Sequence, residues 1–213
     1  DIKTIIPDFH NSNTRWSQFE TSISKAKNER KQLAKDVIIK AFDYQYVFDN
    51  IQALVENVPL IITHNDTKNN NVLIDPIAKK FLNVIDLDTV MPGYLLYDFG
   101  DMIRTMTCSV DENEQDIEKV KFNRKVFEEV CVGFSSGLKI HISAAEKKSL
   151  VHAGSCMALI MAIRFLTDFL NGDIYYRTTY DLHNLNRAKN QLHLVLELES
   201  SKDYIQKLIQ QYF

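Results

Sequence analysis

Six glycines and four prolines in 213 residues leave the polypeptide few points at which to turn sharply, which commits it to long helices joined by short turns. From Arg15 to Val58 the chain is rich in Lys, Glu, Ala and Gln, with Val37, Ala41, Tyr44, Phe48, Ile51, Leu54 and Val55 at helical spacing. One or two helices are predicted there. Beyond Pro92-Gly93 the helical pattern returns over about Phe99–Thr107, Glu114–Phe134, Ala144–Leu170, Leu182–Glu199 and Lys202–Gln211. Ser143 followed by Glu146 is a capping-box pattern that opens the third of these. The acidic run Asp111–Glu118 reads as a solvated loop and helix start.

Only the middle of the chain departs from this pattern. Leu60–Thr63, Val72–Ile74 and Phe81–Ile85 are short apolar runs bounded by turn residues, and the last two read as a hairpin turned at Asp75-Pro76. The predicted class is α+β, mainly helical with a small strand cluster. With 45% hydrophobic and 25% charged residues, the chain can bury a core without disulfide staples. A formal charge of −3 supplies no basic face for nucleic acid. The longest unbroken apolar run, Cys156–Ile163, ends at Arg164, well short of the roughly 20 residues that cross a bilayer. Cys108, Cys131 and Cys156 form no C-x-x-C pair, which fits buried thiols in a reducing, cytoplasmic setting better than a disulfide frame or zinc site.

The chemistry concentrates in Ile62–Asp75 and Asn83–Asp88. His64, Asp66 and Asn71 stand in the spacing H-x-D-x-x-x-x-N, the catalytic-loop pattern of kinases. Phosphoryl transfer asks a protein for a carboxylate to orient the attacking hydroxyl and for ligands that hold Mg²⁺ across the phosphates. Asp66, between a strand and a loop, suits the first task. Asn71 can offer an amide oxygen to the metal, and the hairpin returns Asp86 beside it, with Asp88 as a second carboxylate. Such oxygen ligands suit a hard cation that keeps several waters. Lys68 can neutralise the transferring phosphate.

Two other patterns compete with this one. Asp98-Phe99-Gly100 spells the metal-binding triplet of protein kinases, but it precedes a helical stretch instead of closing the hairpin, so Asp98 reads as an N-cap with Asp101 in the first turn. Gly133-Phe-Ser-Ser-Gly137 matches a G-x-S-x-G elbow with Ser135 as nucleophile, and Asp168, Asp173 or Asp181 followed by His183 or His193 gives the hydrolase order. An elbow needs a strand before it, and Val126–Val132 is helical in pattern. The remaining histidines form no metal-binding set.

Segments spread over nearly the whole chain resemble the phosphotransferase superfamily of aminoglycoside and choline kinases, and more narrowly the N-acetylhexosamine 1-kinases. They are Ile6–His10, Thr63–Lys68, Val84–Gly93, Tyr97–Asp101, Ile163–Asp168, Leu170–Asp173 and His183–Ala188. The resemblance implies a protein-kinase-like fold and phosphorylation, with ATP and Mg²⁺, of the anomeric hydroxyl of an amino sugar of the kind found in mucin-type glycans. It assigns Asp66, Lys68 and His64 to catalysis, Asn71, Asp86 and Asp88 to the metal, and Arg164, Tyr175, Asp66 and Thr89 to the substrate. No G-x-G-x-x-G loop and no strand-borne Lys for the nucleotide phosphates is present, and the chain begins with Asp1. Residues 1–213 are therefore expected to be the C-terminal, acceptor- and metal-binding lobe of a two-lobe kinase whose nucleotide lobe is absent, and to be inactive alone. Another small-molecule kinase with an aminoglycoside or other alcohol acceptor is the nearest alternative. A non-catalytic pseudokinase serving as a binding module is the alternative from a different class.

Overall fold

The central element is a helix long enough to touch most of the others. A computed structural model describes residues 2–213. Its helices are α1 (Ser12–Lys25), α2 (Asn28–Asp43), α3 (Gln45–Val55), α4 (Leu95–Met106), α5 (Arg124–Gly137), α6 (Ala144–Asn171), α7 (His183–Ser200) and α8 (Lys202–Tyr212). Helix α6 opens on the expected capping box: the Glu146 amide donates to Ser143 Oγ at 3.2 Å, and the Ser143 amide donates back to Glu146 Oε2 at 2.7 Å. It ends at Gly172, whose φ of 102° lies in the left-handed region open to glycine. Between these caps α6 packs against α7, α4, α1 and α3, so Cys156–Ile160 are buried all round. By length and mean hydropathy α6 could cross a membrane, but 72% of its most apolar window is buried within the protein, which makes it the core helix.

Two glycines set the closeness of α4 to α6. A Cβ on Gly100 would strike the backbone carbonyl of Ala153, and one on Gly154 would lie 2.7 Å from Ile103 Cγ2. The expected helices are present with three corrections. The Arg15–Val58 region forms three helices, broken at Ala26–Lys27 and at Tyr44 without glycine or proline. The breaks let Trp16 pack edge-on against Phe42 and Phe48, with centroids 5.2 and 5.9 Å apart. Helix α4 starts one turn before the predicted position, at Leu95. Most of Glu114–Asn123 is not α-helix: Asn190 of α7 donates to the carbonyls of Asp111 and Glu114, Glu197 accepts the Phe122 amide, and Asn123 caps α5 instead. Gly133–Gly137 lies in α5, so Ser135 has helical geometry and is no elbow.

The strands form two antiparallel pairs. β2 (Val72–Ile74) and β3 (Phe81–Val84) make the expected hairpin, turned by Asp75 Oδ1 accepting the amides of Ile77 and Ala78 at 2.8 Å each. β1 (Ile61–Thr63) pairs with β4 (Met91–Gly93), where no strand is predicted from the sequence. A strand with a single partner tolerates Pro92. The two pairs bracket the loop His64–Asn71.

Candidate active site

The loop after β1 is held at both ends by residues distant in sequence. The His64 and Asn65 amides donate to the Asp98 carboxylate at 2.9 and 2.7 Å, and Thr67 Oγ1 donates to the Asp98 carbonyl at 2.6 Å. Asp98 is therefore no N-cap. It lies inside α4, where burial pushes its carboxyl pKa up against the opposing effect of those two amides. Asp101 is likewise no solvated first-turn charge; it is buried and accepts from Arg104 Nε at 2.9 Å. Asn65 is left-handed (φ 62°) and buried, and its Nδ2 donates to the carbonyls of Thr63, Thr89 and Met91. Gly93 makes room for it, since a Cβ there would sit 2.7 Å from Asn65 Oδ1. From the other side His10 Nε2 bonds the Asn65 carbonyl at 2.7 Å. Burial lowers the pKa of His10 to about 4, so the ring is neutral and Nε2 carries the proton.

This frame presents Asp66. Its Oδ2 accepts from Lys68 Nζ at 2.7 Å and from Asn71 Nδ2 at 2.9 Å, while Oδ1 has no donor among the described residues. Asn71 Nδ2 also donates to the Asp66 carbonyl at 2.8 Å, so the amide oxygen of Asn71 points away from Asp66. The Ile85 amide donates to the Asn71 carbonyl at 3.0 Å, which brings the next residue, Asp86, to the same end of the hairpin. Asp86 is left-handed (φ 63°) and exposed, and its side chain makes no hydrogen bond among the described residues; Asp88 follows in the short turn Leu87–Thr89, also exposed. Left-handed non-glycine residues are uncommon and cluster at sites where geometry is imposed. Two of them, Asn65 and Asp86, flank this one.

His64 and Thr89 occupy supporting positions. His64 Nδ1 accepts the Asp66 amide at 3.3 Å, so Nε2 is the donor to the Ile85 carbonyl at 3.2 Å, and the ring ties the Asp66 loop to the end of β3. Both ring nitrogens are engaged by backbone. Thr89 Oγ1 donates to the His64 carbonyl at 2.7 Å, which turns it toward the loop frame. Among the described residues no three His, Cys, Asp or Glu side chains converge as a ready-made metal cage. Asn71, Asp86 and the neighbouring Asp88 instead offer an amide and two carboxylates. That donor set fits Mg²⁺, which is held by one or two carboxylates and takes its other ligands from water and phosphate.

The other predicted pair, Arg164 and Tyr175, lines a cleft of about 670 Å³ between α1, the segment Ile6–Phe9, α6 and the loop after Gly172. The Arg164 guanidinium lies 5.2 Å from the Phe9 ring, 5.6 Å from Tyr176 and 5.9 Å from Tyr175. Among the described residues no carboxylate comes within 4.0 Å of it, so it is not held as a structural ion pair. Asp168 builds the loop that carries the two tyrosines. It is buried, and accepts the amides of Ile174 and Tyr175 on Oδ1 (3.0 and 2.8 Å) and those of Tyr176 and the Asn184 side chain on Oδ2 (2.9 Å each). The cleft and the Asp66 loop adjoin, because His10, bonded to Asn65, packs its ring at a tilt against that of Phe9 with centroids 4.3 Å apart.

Sequence reasoning missed His10, Asn65, Asp98 and Asp168 as site-building residues. Each acts through backbone groups, and the signal for each was its place in a segment that carries the resemblance: Ile6–His10, Thr63–Lys68, Tyr97–Asp101 and Ile163–Asp168. The model of the phosphotransferase enzyme family (APH) matches residues 4–129. That match spans the Ile6–His10 segment, α1 to α4, the Asp66 loop and the hairpin, and stops before α6 and Arg164.

Proposed function

The chain belongs to the APH phosphotransferase enzyme family, and from that premise we propose that it is the acceptor- and metal-binding lobe of an ATP-dependent kinase that phosphorylates the anomeric hydroxyl of an N-acetylhexosamine. The observation that carries the reading is the division of labour on Asp66. One carboxylate oxygen is clamped by Lys68 and Asn71, and the other is free at the mouth of a rigid loop. The free oxygen accepts the proton of the attacking hydroxyl and aligns it; the clamp prevents the carboxylate from rotating away. Lys68 supplies positive charge two residues from the base, where charge accumulates on the transferring group. His64 and Thr89 act as positioning residues for Asp66. When bound, Mg²⁺ neutralises charge on the phosphates of ATP, and Asn71 and Asp86, with Asp88 nearby, would hold it.

Two features support the one-lobe and sugar readings. The β2–β3 hairpin is bare on both faces, with Leu73, Ile74, Ile77, Phe81 and Leu82 exposed, and a two-stranded hairpin is marginal unless something packs on it. A second, nucleotide-binding lobe over this hairpin would cover that surface. In the cleft, a guanidinium donor beside an exposed tyrosine ring suits a sugar, which offers hydroxyl and carbonyl oxygens on one face and C–H groups on the other. It opposes a quaternary ammonium or a polycationic aminoglycoside, which Arg164 would repel.

The test is ADP release by the full-length protein with N-acetylglucosamine, N-acetylgalactosamine, choline and kanamycin, each with and without Mg²⁺. The product is mapped by ³¹P NMR. Metal-dependent turnover of an N-acetylhexosamine to its 1-phosphate, lost in Asp86→Ala, is the expected result. Turnover of choline or kanamycin in preference to both sugars overturns the substrate assignment. Undiminished turnover in Asp86→Ala overturns the metal assignment.

A further inference from the structure

The cleft is cationic in a chain whose net charge is −3, and among the described residues its cations make no ion pair, the Asp8 charge acting on Arg15 only from a distance. Arg15 and Lys25 enter it from α1 and Arg164 from α6. Arg15 spends its donors on neutral acceptors: Nε and Nη2 on the Phe9 carbonyl at 3.1 and 2.7 Å, and Nη1 on Gln18 Oε1 at 2.9 Å. Among the described residues Arg15, Lys25 and Arg164 make no ion pair. The single carboxylate in the wall, Asp168, is saturated by its four donors and turned into the α6–α7 loop. Burial, and next to it the facing charge of Arg164, lower the pKa of Arg15, so the two guanidiniums repel across the cleft. The same wall contains two buried hydroxyls without any partner, Thr167 Oγ1 and Tyr176 OH. Unpaired buried hydroxyls are costly, and a cavity that gathers them beside unpaired cations is built around something it does not itself supply.

We infer that the acceptor is an acidic sugar, one whose anionic substituent (sulfate ester, phosphate ester or carboxylate) is held between Arg15 and Arg164 while its hydroxyl faces Asp66. The inference deepens the sugar-kinase reading and rests on it for the identity of the cleft as the acceptor pocket. Guanidinium groups are matched to the paired oxygens of all three anions, and hydrogen bonds between two charged partners are about twice as strong as neutral ones. Lys25, exposed at the end of α1, adds charge at the rim without being needed for the fold.

Calorimetric titration of the chain at low salt tests this with N-acetylglucosamine, its 6-sulfate, its 6-phosphate, glucuronic acid and kanamycin. At least one acidic sugar is expected to bind about ten-fold or more tightly than neutral N-acetylglucosamine, and which one separates the three sources of charge. The advantage should shrink as salt rises. It should also fall several-fold in Lys25→Gln, which keeps the fold, and disappear in Arg15→Gln. Equal binding of acidic and neutral sugars, or tighter binding of kanamycin than of any acidic sugar, overturns the inference. Phosphorylation by the full-length protein, measured in parallel, separates the two proposals. Turnover of neutral sugar with no charge preference leaves the kinase and removes the acidic acceptor. Charge-selective binding without turnover of any sugar leaves the anion subsite and removes the kinase.

Discussion

His10 couples the stability of the Asp66 loop to pH, and the size of the coupling follows from its environment. The ring is buried, its Nε2 proton is given to the Asn65 carbonyl, and its Nδ1 has no partner. Burial, helped by Arg164, lowers its pKa from 6.5 to about 4. Above pH 6.5 the imidazole is neutral in folded and unfolded chains alike, so it exerts no pH-dependent effect there. Between pH 6.5 and about 4 the unfolded chain takes up a proton that the folded chain refuses, so stability is lost as the pH falls. At about 1.36 kcal/mol per unit of pKa difference, this one group removes roughly 3 kcal/mol in full and about 2 kcal/mol by pH 5. Those magnitudes are a large fraction of the stability of a typical domain.

His10→Gln separates this effect from the general acid sensitivity of the protein. The amide can still donate toward Asn65 but fits less well, so the variant should be less stable than wild type at pH 8 by about 1–2 kcal/mol. Glutamine does not titrate, so the deficit should close between pH 8 and pH 5 and the two stabilities should meet or cross. Urea unfolding, followed through the single tryptophan, Trp16, buried among Phe19, Phe42 and Phe48, reads both curves. His152, His183 and His193 are also shifted down by burial, and their contributions cancel in the comparison. Parallel curves for wild type and variant from pH 8 to pH 5 would refute the argument, because the buried neutral state of His10 would then cost nothing to maintain.

Three further outcomes follow from the same geometry. On the proposed kinase reading, Asp66→Asn in the full-length protein keeps size and shape but removes the proposed proton acceptor, so kcat should drop by about 10²–10⁴-fold with a smaller change in acceptor KM, read by steady-state kinetics. Asp168→Ala strips four donors of their acceptor and should destabilise the protein by about 3 kcal/mol or more, while the amides of Ile174, Tyr175 and Tyr176 lose protection from hydrogen exchange; unchanged exchange there would show that the loop is held by other contacts. Gly100→Ala and Gly133→Ala should move in opposite directions in thermal denaturation. The first forces a methyl group into the Ala153 carbonyl, at a cost of about 1–3 kcal/mol, and the second adds helix propensity in open space, worth up to about 1 kcal/mol.

How much of this was legible in the sequence depends on how far apart the interacting residues stand. The hairpin, the capping box of α6 and the end of that helix near Leu170 are local signals, and the structure agrees with each to within a residue or two. The neighbouring placement of Asp66 and Asn71 was legible for the same reason, since five residues and one turn join them. The break at Tyr44, the non-helical course of Glu114–Asn123 and strand β4 were not legible. In each of them packing with distant residues overrides a local pattern that favours helix or turn.

The same rule explains why the aspartates were the hardest residues to assign. Asp98 and Asp168 resemble surface charges in the sequence, yet both are internal acceptors for backbone amides, 33 or 34 residues away for Asp98 and six to eight for Asp168. A carboxylate that gathers several amides organises an irregular loop as a helix ladder organises a helix, because it supplies acceptors that the loop cannot provide for itself. Here one such carboxylate shapes the loop that presents Asp66 and the other shapes the loop that presents Tyr175. Phe9, in the cleft wall, adjoins His10, which bonds Asn65, so the Asp66 loop and the cationic cleft are linked through one short segment. A change at Asp98 or Asp168 should therefore alter turnover and acceptor affinity without altering any residue that faces the acceptor, which is the sense in which this site extends beyond its own surface.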